Sequence, residues 1–244
     1  KDANGGKVIS EYTNSNIISY GPTYADLEYS YLADDGSYEY TLRHVEMPQT
    51  DENRTYYTMS LRFLKTTAFT DVKSQLDLFT YDGRQMTYDN ASYLNENNEK
   101  ATIKNKNSGD GCDYYVLGKE SPYFSYYGFK SADPEYGSNF GFLLTDSYVT
   151  AGGVEWDGNF VFKNAFNSTK KLNVGSISLY NEDGTPMYFY RNDVIELNFV
   201  LLPYGIGTDD SSDNVDYIRE DSSLNKFKLT SDTCEIVDDY YVPS

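Results

Sequence analysis

The sequence predicts an all-β protein made of two tandem, mutually packed immunoglobulin-like β-sandwich repeats of about 100 residues each, the size of such a sandwich. Three observations lead there. The composition favours strands, short apolar runs alternate with turn residues, and the chain resembles itself at a shift of 101 residues.

The composition comes first. The 244 residues include 26 tyrosines and 13 phenylalanines against one tryptophan and four methionines. Tyr, Phe, Thr, Val and Ile fit the half-buried, pleated surface of a strand.

Strand signals then recur with turn punctuation between them. In the first half, Tyr38 to Val45, Tyr56 to Leu64 and Gln75 to Thr80 alternate or nearly alternate. In the second, Phe140 to Leu144, Phe160 to Phe162, Ser176 to Tyr180 and Ile195 to Leu202 read as buried strands. Tyr81-Asp82-Gly83-Arg84 and Glu182-Asp183-Gly184-Thr185 place Asp-Gly between apolar runs, which marks a hairpin. No window has a helical period of useful length. Asn95 to Gly111 is polar and rich in Asn and Lys, and reads as a long surface loop.

The third observation is the internal similarity. Leu78 to Tyr88 overlies Leu179 to Phe189, with Leu, Asp-Gly and Met matching in place. The same shift puts Gly36-Ser37 on Gly137-Ser138, Leu42 on Leu143 and Leu61 on Phe162. Nearby shifts match Pro22 with Pro122 and Ala33-Asp34 with Ala132-Asp133. A diverged duplication produces this pattern. The repeats proper run over 20–119 and 120–220, inside an N-terminal domain 1–119 and a C-terminal domain 120–244 that carries an extension. Lys119-Glu120-Ser121-Pro122 is too short for a free linker, so the halves should pack together. One merged pseudo-symmetric sandwich is the alternative.

Charge and cysteine content exclude several functions. With 38 acidic and 20 basic side chains the formal charge is −18, which argues against a nucleic-acid partner. The same acidity disfavours an anionic membrane surface. No stretch reaches the roughly 18 apolar residues of a membrane span, and no signal segment is present. The sequence reads as a mature or excised piece of something longer. Abundant Asn, Ser, Gly and Asp suggest an extracellular or cell-surface protein. Cys112 and Cys234 either form a disulfide or remain two separate buried thiols.

Nothing points to catalysis. A Ser-His-Asp triad would need His44, the single histidine, which sits in a strand pattern without a nucleophile elbow. No nucleotide-binding or metalloprotease motif occurs, and abundant carboxylates supply any spacing without meaning. No cofactor is implied, and one histidine with two cysteines offers no zinc ligand set. Calcium is the metal left open. Asp209-Asp210, Asp213-Asn214 and Asp216 cluster oxygen ligands, as do Asp110 and Asp113, but neither follows the EF-hand spacing and a solvated acidic loop is the preferred reading of both.

The aromatic clusters carry the sharper expectation. Trp156 lies between turn residues in Gly152-Gly153-Val154-Glu155-Trp156-Asp157-Gly158-Asn159, and its counterpart in the first half is Thr55. The scaffold therefore does not demand an aromatic there, although packing between the halves would also account for the ring. Tyr123, Tyr126, Tyr127 and Tyr136 open the second half and are the aromatics placed to extend a platform around Trp156. Such a platform suits a sugar, whose apolar C–H face stacks on the ring while Glu155, Asp157 and Asn159 meet its hydroxyls.

In strand density, acidity, tyrosine content and exposed-aromatic pattern, the whole chain resembles the starch-adherence domains of amylosome proteins from gut ruminococci. The resemblance implies a secreted, non-catalytic carbohydrate-binding module for starch-type α-glucan. Its partners would be a polysaccharide or maltooligosaccharide, and it would be part of a larger multidomain surface protein. A protein-interaction or adhesin-type structural module without a glycan ligand is the competing reading, since tyrosine is also enriched at protein interfaces.

Overall fold

The computed structural model describes residues 10–21, 24–46, 54–69, 76–82, 87–130, 139–181, 185–204, 212–220, 228–230 and 233–235. Within them the fold is almost entirely β. The first half contributes β1 (Ser10–Gly21), β2 (Tyr24–Ala33), β3 (Tyr38–Glu46), β4 (Thr55–Phe63), β5 (Thr67–Phe69), β6 (Leu76–Asp82), β7 (Thr87–Leu94), β8 (Lys100–Lys104) and β9 (Gly111–Val116). The second contributes β10 (Tyr123–Lys130), β11 (Asn139–Ala151), β12 (Val154–Glu155), β13 (Asn159–Asn167), β14 (Leu172–Tyr180), β15 (Met187–Phe189) and β16 (Val194–Tyr204). A helix, α1 (Ser212–Glu220), and a small hairpin, β17 (Lys228–Thr230) with β18 (Thr233–Glu235), follow.

A large antiparallel sheet runs β1-β2-β3-β4-β16-β11-β10-β7-β8, with β12 folded back on β11. It faces a four-stranded sheet, β6-β14-β13-β9. Strands of both halves therefore stand side by side in each sheet. Instead of two separate sandwiches in tandem, strands of both halves build one sandwich, without the pseudo-symmetry of the merged alternative, since β4 and its counterpart β13 lie in opposite sheets. The physical reason is the pairing of β4 with β16 over Thr55 to Arg62, which joins the two hairpin sets edge to edge. Residues 119 and 120 fall between β9 and β10, which lie in opposite sheets.

The core fills the space between the sheets with aromatic rings. Phe162 of β13 stacks on Phe124 of β10 at 4.5 Å and 9°. Phe79 of β6 stacks on Phe142 of β11 at 4.8 Å. Offset stacking of this kind adds to the apolar area buried. At one end the core is polar but satisfied. Tyr126 Oη donates to Asn164 Oδ1 at 2.7 Å, Asn164 Nδ2 to Asn105 Oδ1 at 2.8 Å, and Asn105 Nδ2 to the Tyr88 carbonyl at 3.0 Å. The hydroxyls of Tyr81 and Tyr88 meet at 2.6 Å.

Burial raises the pKa of Tyr81, Tyr88 and Tyr126 above the ordinary phenol value. These phenols stay neutral in the fold while the unfolded chain ionises near pH 10. Their stabilisation is therefore complete below about pH 10 and is lost as pH rises from there through the raised values of the folded state. Urea unfolding between pH 8 and 11.5 should show a midpoint that drops steeply above pH 10. A native spectrum in which every tyrosine ionises near pH 10 without unfolding would contradict this.

Part of the outer face of the large sheet, over β10 and β11, is covered by α1, which the sequence did not suggest. Val215 and Ile218 pack onto Val45, Tyr56, Leu94, Tyr123, Leu143, Val200 and Leu202. A side chain at Gly141 would run into Val215, so glycine lets the helix lie close. The helix takes up part of the acidic segment read as a possible calcium loop. Asp213 pairs with Lys100 at 2.6 Å, and Asp216 accepts from the Tyr123 hydroxyl at 3.0 Å. The matching residues of the first half are also engaged. Asp110 accepts from the Ser168 amide and Asp113 pairs with Lys106, both at 2.9 Å. Among the described residues no group of three His, Cys, Asp or Glu could hold a metal.

Two more local expectations change. The polar stretch after Asn95 contains β8, whose Ala101 and Ile103 alternate with polar neighbours along a short edge strand. It is reached through a tight turn in which Asn98 takes φ 59° and the Asn95 side chain accepts from the amides of Asn97 and Glu99. Cys112 is a free, exposed thiol instead of a buried one, and the side chain of Cys234 lies outside the described residues. Gly83 and Asp183-Gly184, the centres of the two expected hairpin turns, lie outside them too.

Candidate functional site

Trp156 owes its position to the turn after β11. Gly152 and Gly153 adopt φ of 64° and 80°, conformations costly for other residues, and let the chain fold back as β12. The Trp156 amide then donates to the Val149 carbonyl at 2.9 Å, which anchors its backbone against β11. The indole meets Phe160 edge to face at 5.4 Å and 77°. It remains half-buried, with one side on the core and the other in a cleft.

The cleft holds about 570 Å³ and is built from three segments: residues 118–122 between β9 and β10, residues 144–149 of β11, and residues 155–160. The first segment is pinned. Leu117 N donates to Phe160 O at 2.9 Å, Gly118 N to Leu94 O at 3.2 Å, and Leu144 N to Pro122 O at 2.9 Å. Asn159 Nδ2 donates to the Leu117 carbonyl at 3.0 Å, so its amide mainly ties the cleft together. The Lys119 ammonium donates to the Asp157 carbonyl, tying the first segment to the third. These bonds fix the shape before any ligand enters, which limits the ordering cost of binding.

The walls combine an aromatic body with carboxylates. Glu120, Asp146, Glu155 and Asp157 line the cleft with one cation, Lys119. Tyr148 adds a second ring, 46% exposed. Carboxylates accept hydrogen bonds from hydroxyls and repel anions, so the arrangement suits a neutral, hydroxyl-rich ligand with an apolar face.

The structure brings Trp156, Glu155, Asp157 and Asn159 together as expected and separates them from the tyrosines. Tyr123 and Tyr126 have no exposed surface. Successive residues of β10 point to opposite faces, but both faces are covered, one by α1 and the other by the small sheet. The helix, which was not foreseen, covers Tyr123, while the small sheet covers Tyr126. Tyr127 is half-buried beside Asn90 of β7 and does not line the cleft. Tyr136 lies outside the described residues. Tyr148, Asp146, Lys119 and Glu120 were missed. Only the fold brings them to Trp156, although Lys119 and Glu120 sit in the short junction between the two halves.

His44 lies in β3 between the rings of Tyr29 and Tyr57, at 5.7 and 5.5 Å, with Glu46 at 3.8 Å.

Gly158 tests the pose of the indole. A Cβ placed there would overlap the six-membered ring of Trp156. Because the far end of a side chain can swing away, Gly158→Ala should cost little stability yet displace the indole from the cleft wall. Affinity for a ligand that stacks on the indole should fall about tenfold, roughly 1.4 kcal/mol. An unchanged titration curve would mean that the indole is not held in this pose when ligand binds.

No family model and no curated protein matches the sequence. Solved structures share the fold. The α-galactosidase AgaA of Geobacillus stearothermophilus aligns with 85% of this chain at a TM-score of 0.54 and 11% identity. The galactosidase domain of the α-galactosidase-sucrose kinase AgaSK aligns at 0.56 and 11%, and the α-galactosidase of Lactobacillus brevis at 0.55 and 12%, again over 85% of this chain. The chain spans 28–30% of the length of these three proteins. The shared feature is therefore a β-sandwich that occurs within carbohydrate-active proteins.

Proposed function

We propose that this protein is a non-catalytic carbohydrate-binding module that holds a neutral glycan, of the starch-type α-glucan class, in the Trp156 cleft. The observation that carries the reading is a half-buried tryptophan set in a rigid cleft among four carboxylates. A pyranose stacks its C–H face on the indole while its hydroxyls donate to Glu155, Asp157, Asp146 and Glu120. The volume admits a short oligosaccharide segment. The choice of α-glucan rests on the likeness of the sequence to starch-adherence domains, and the fold shared with α-galactosidases is compatible with a sugar ligand. In this reading the module works outside the cell as part of a larger surface protein, and it binds sugar without cleaving it.

Native gels cast with amylopectin, pullulan, xyloglucan, mixed-linkage β-glucan or mannan test the proposal. Retardation by amylopectin and pullulan is expected, with a change in the fluorescence of the single tryptophan on adding maltooligosaccharide. Retardation by another glycan alone would retain the module and replace its ligand class. No retardation in any gel would overturn the reading, and release of reducing sugar would overturn its non-catalytic part.

A further inference from the structure

The edges of the sheets differ in a way that glycan binding does not explain. An open strand edge presents unpaired backbone groups that recruit other strands, and proteins guard such edges with lysine, proline or short length. At one end of the large sheet, β8 is five residues long and has Lys100 and Lys104 at its two ends. In the small sheet, edge strands β6 and β9 carry Asp77, Asp82 and Asp113. At the other end of the large sheet, β1 is 12 residues long, SEYTNSNIISYG, with no lysine, arginine or proline and the single charge of Glu11. Among the described residues it pairs only with β2.

The side chains of β1 fit association as well. Tyr12, Ile17 and Tyr20 are 57%, 67% and 78% exposed. All three are on the inner face of the sheet, since register pairs Tyr12 with Tyr31 and Tyr40, Ile17 with Leu27 and His44, and Tyr20 with Ala25, which shares a face of β2 with Leu27. The outermost strand thus extends an apolar face past the small sheet. In a chain of charge −18, this long, nearly neutral stretch is the place where a second copy would meet least repulsion.

We propose that β1 is a homodimer interface, pairing antiparallel with β1 of a second copy about a two-fold axis. The geometry of the strand points to that occupant. The register of β1 shifts twice, between Tyr12 and Asn14 and between Ile17 and Ser19, leaving Asn14 to Ile17 regular. The two irregularities are placed evenly about the Ser15–Asn16 bond. A two-fold axis through that point sets Ser15 opposite Asn16 and Asn14 opposite Ile17, and each copy's bulges flank the paired stretch symmetrically. Self-complementarity of this kind is what an isologous interface requires. At about 3.4 Å per residue the strand is about 40 Å long.

Sedimentation equilibrium of the full chain from 5 µM to 500 µM tests the proposal. The wild type should approach twice the chain mass, more so at 300 mM than at 50 mM NaCl, because salt screens the repulsion between two acidic copies. Ile17→Lys places a charge on the exposed inner face and should weaken dimerisation at least tenfold, with an unchanged circular dichroism spectrum. Tyr217→Lys, on exposed α1, should dimerise like the wild type. A wild type that stays monomeric at every concentration, or an Ile17→Lys variant that dimerises normally, would overturn the interface.

Discussion

Trp156→Ala is expected to remove glycan retardation in native gels while the variant still folds. The indole contributes in two places. Against Phe160 it packs edge to face, and truncation should lower stability by about 1–2 kcal/mol, as for a partly buried large side chain. Toward the cleft it supplies the broadest apolar surface available to a pyranose. Losing that contact should cost about 2–3 kcal/mol of binding, a rise in Kd of roughly 30- to 150-fold. Trp156→Tyr separates the two roles, because a phenol can still stack. It should restore most of the affinity even if stability is not fully recovered. Should Trp156→Ala bind amylopectin like the wild type, the cleft is not the sugar site. If alanine and tyrosine variants lose affinity equally, the indole acts through packing instead of contact.

Strand positions were largely legible because a strand's signal is local. Tyr56 to Leu64 was expected and β4 spans Thr55–Phe63; Gln75 to Thr80 was expected and β6 spans Leu76–Asp82. Sheet membership was not legible, because it depends on pairing between distant residues. The 101-residue shift carries β3, beginning at Tyr38, onto β11, beginning at Asn139, and both lie in the large sheet. It carries β6 onto β14, which pair with each other in the small one. Yet the same shift relates β4 to β13, and these lie in opposite sheets. The resemblance recorded similar strands without fixing which would be neighbours.

The helix was hidden for a different reason. Ser212 to Glu220 contains only two strongly apolar residues facing the core, Val215 and Ile218, too few to reveal a period. Short helices gain most of their stability from docking, and here the docking surface is the outer face of the sheet. Missing the helix then misplaced Tyr123, because a tyrosine on an uncovered sheet face would have been exposed. Trp156 was legible for the opposite reason: its neighbours are turn residues, and a turn keeps a large ring near solvent. Its cleft partners on β11 and in the 118–122 segment become neighbours only through the pairing of β11 with β12 and the closure of the sandwich.

The largest stability loss from one core substitution is expected at Phe162, the residue that occupies the centre of the sandwich from the small sheet. Leu61, its partner under the 101-residue shift, is buried in the same core from the large sheet, so the two resembling positions fill one interior from opposite sides. Phe162 has no exposed surface, stacks on Phe124, and meets Tyr126 at 5.9 Å and 68°. Tyr93 and Tyr115 flank it at 6.2 and 6.0 Å. Stacked rings cannot collapse into the space of a lost neighbour without giving up their own contacts. Phe162→Ala should therefore cost about 3–5 kcal/mol, the upper range for a buried aromatic. Set against a total stability of about 5–15 kcal/mol, that loss is a large share. At about 2–4 °C per kcal/mol for a chain of this size, the melting temperature should drop by roughly 6–20 °C. Phe162→Leu, which keeps much of the volume, should cost less than half as much. Urea unfolding followed through Trp156 fluorescence measures both. A loss below about 1.5 kcal/mol for the alanine variant would mean that the two sheets close over the gap, and that the interlocked ring stack does not hold them apart.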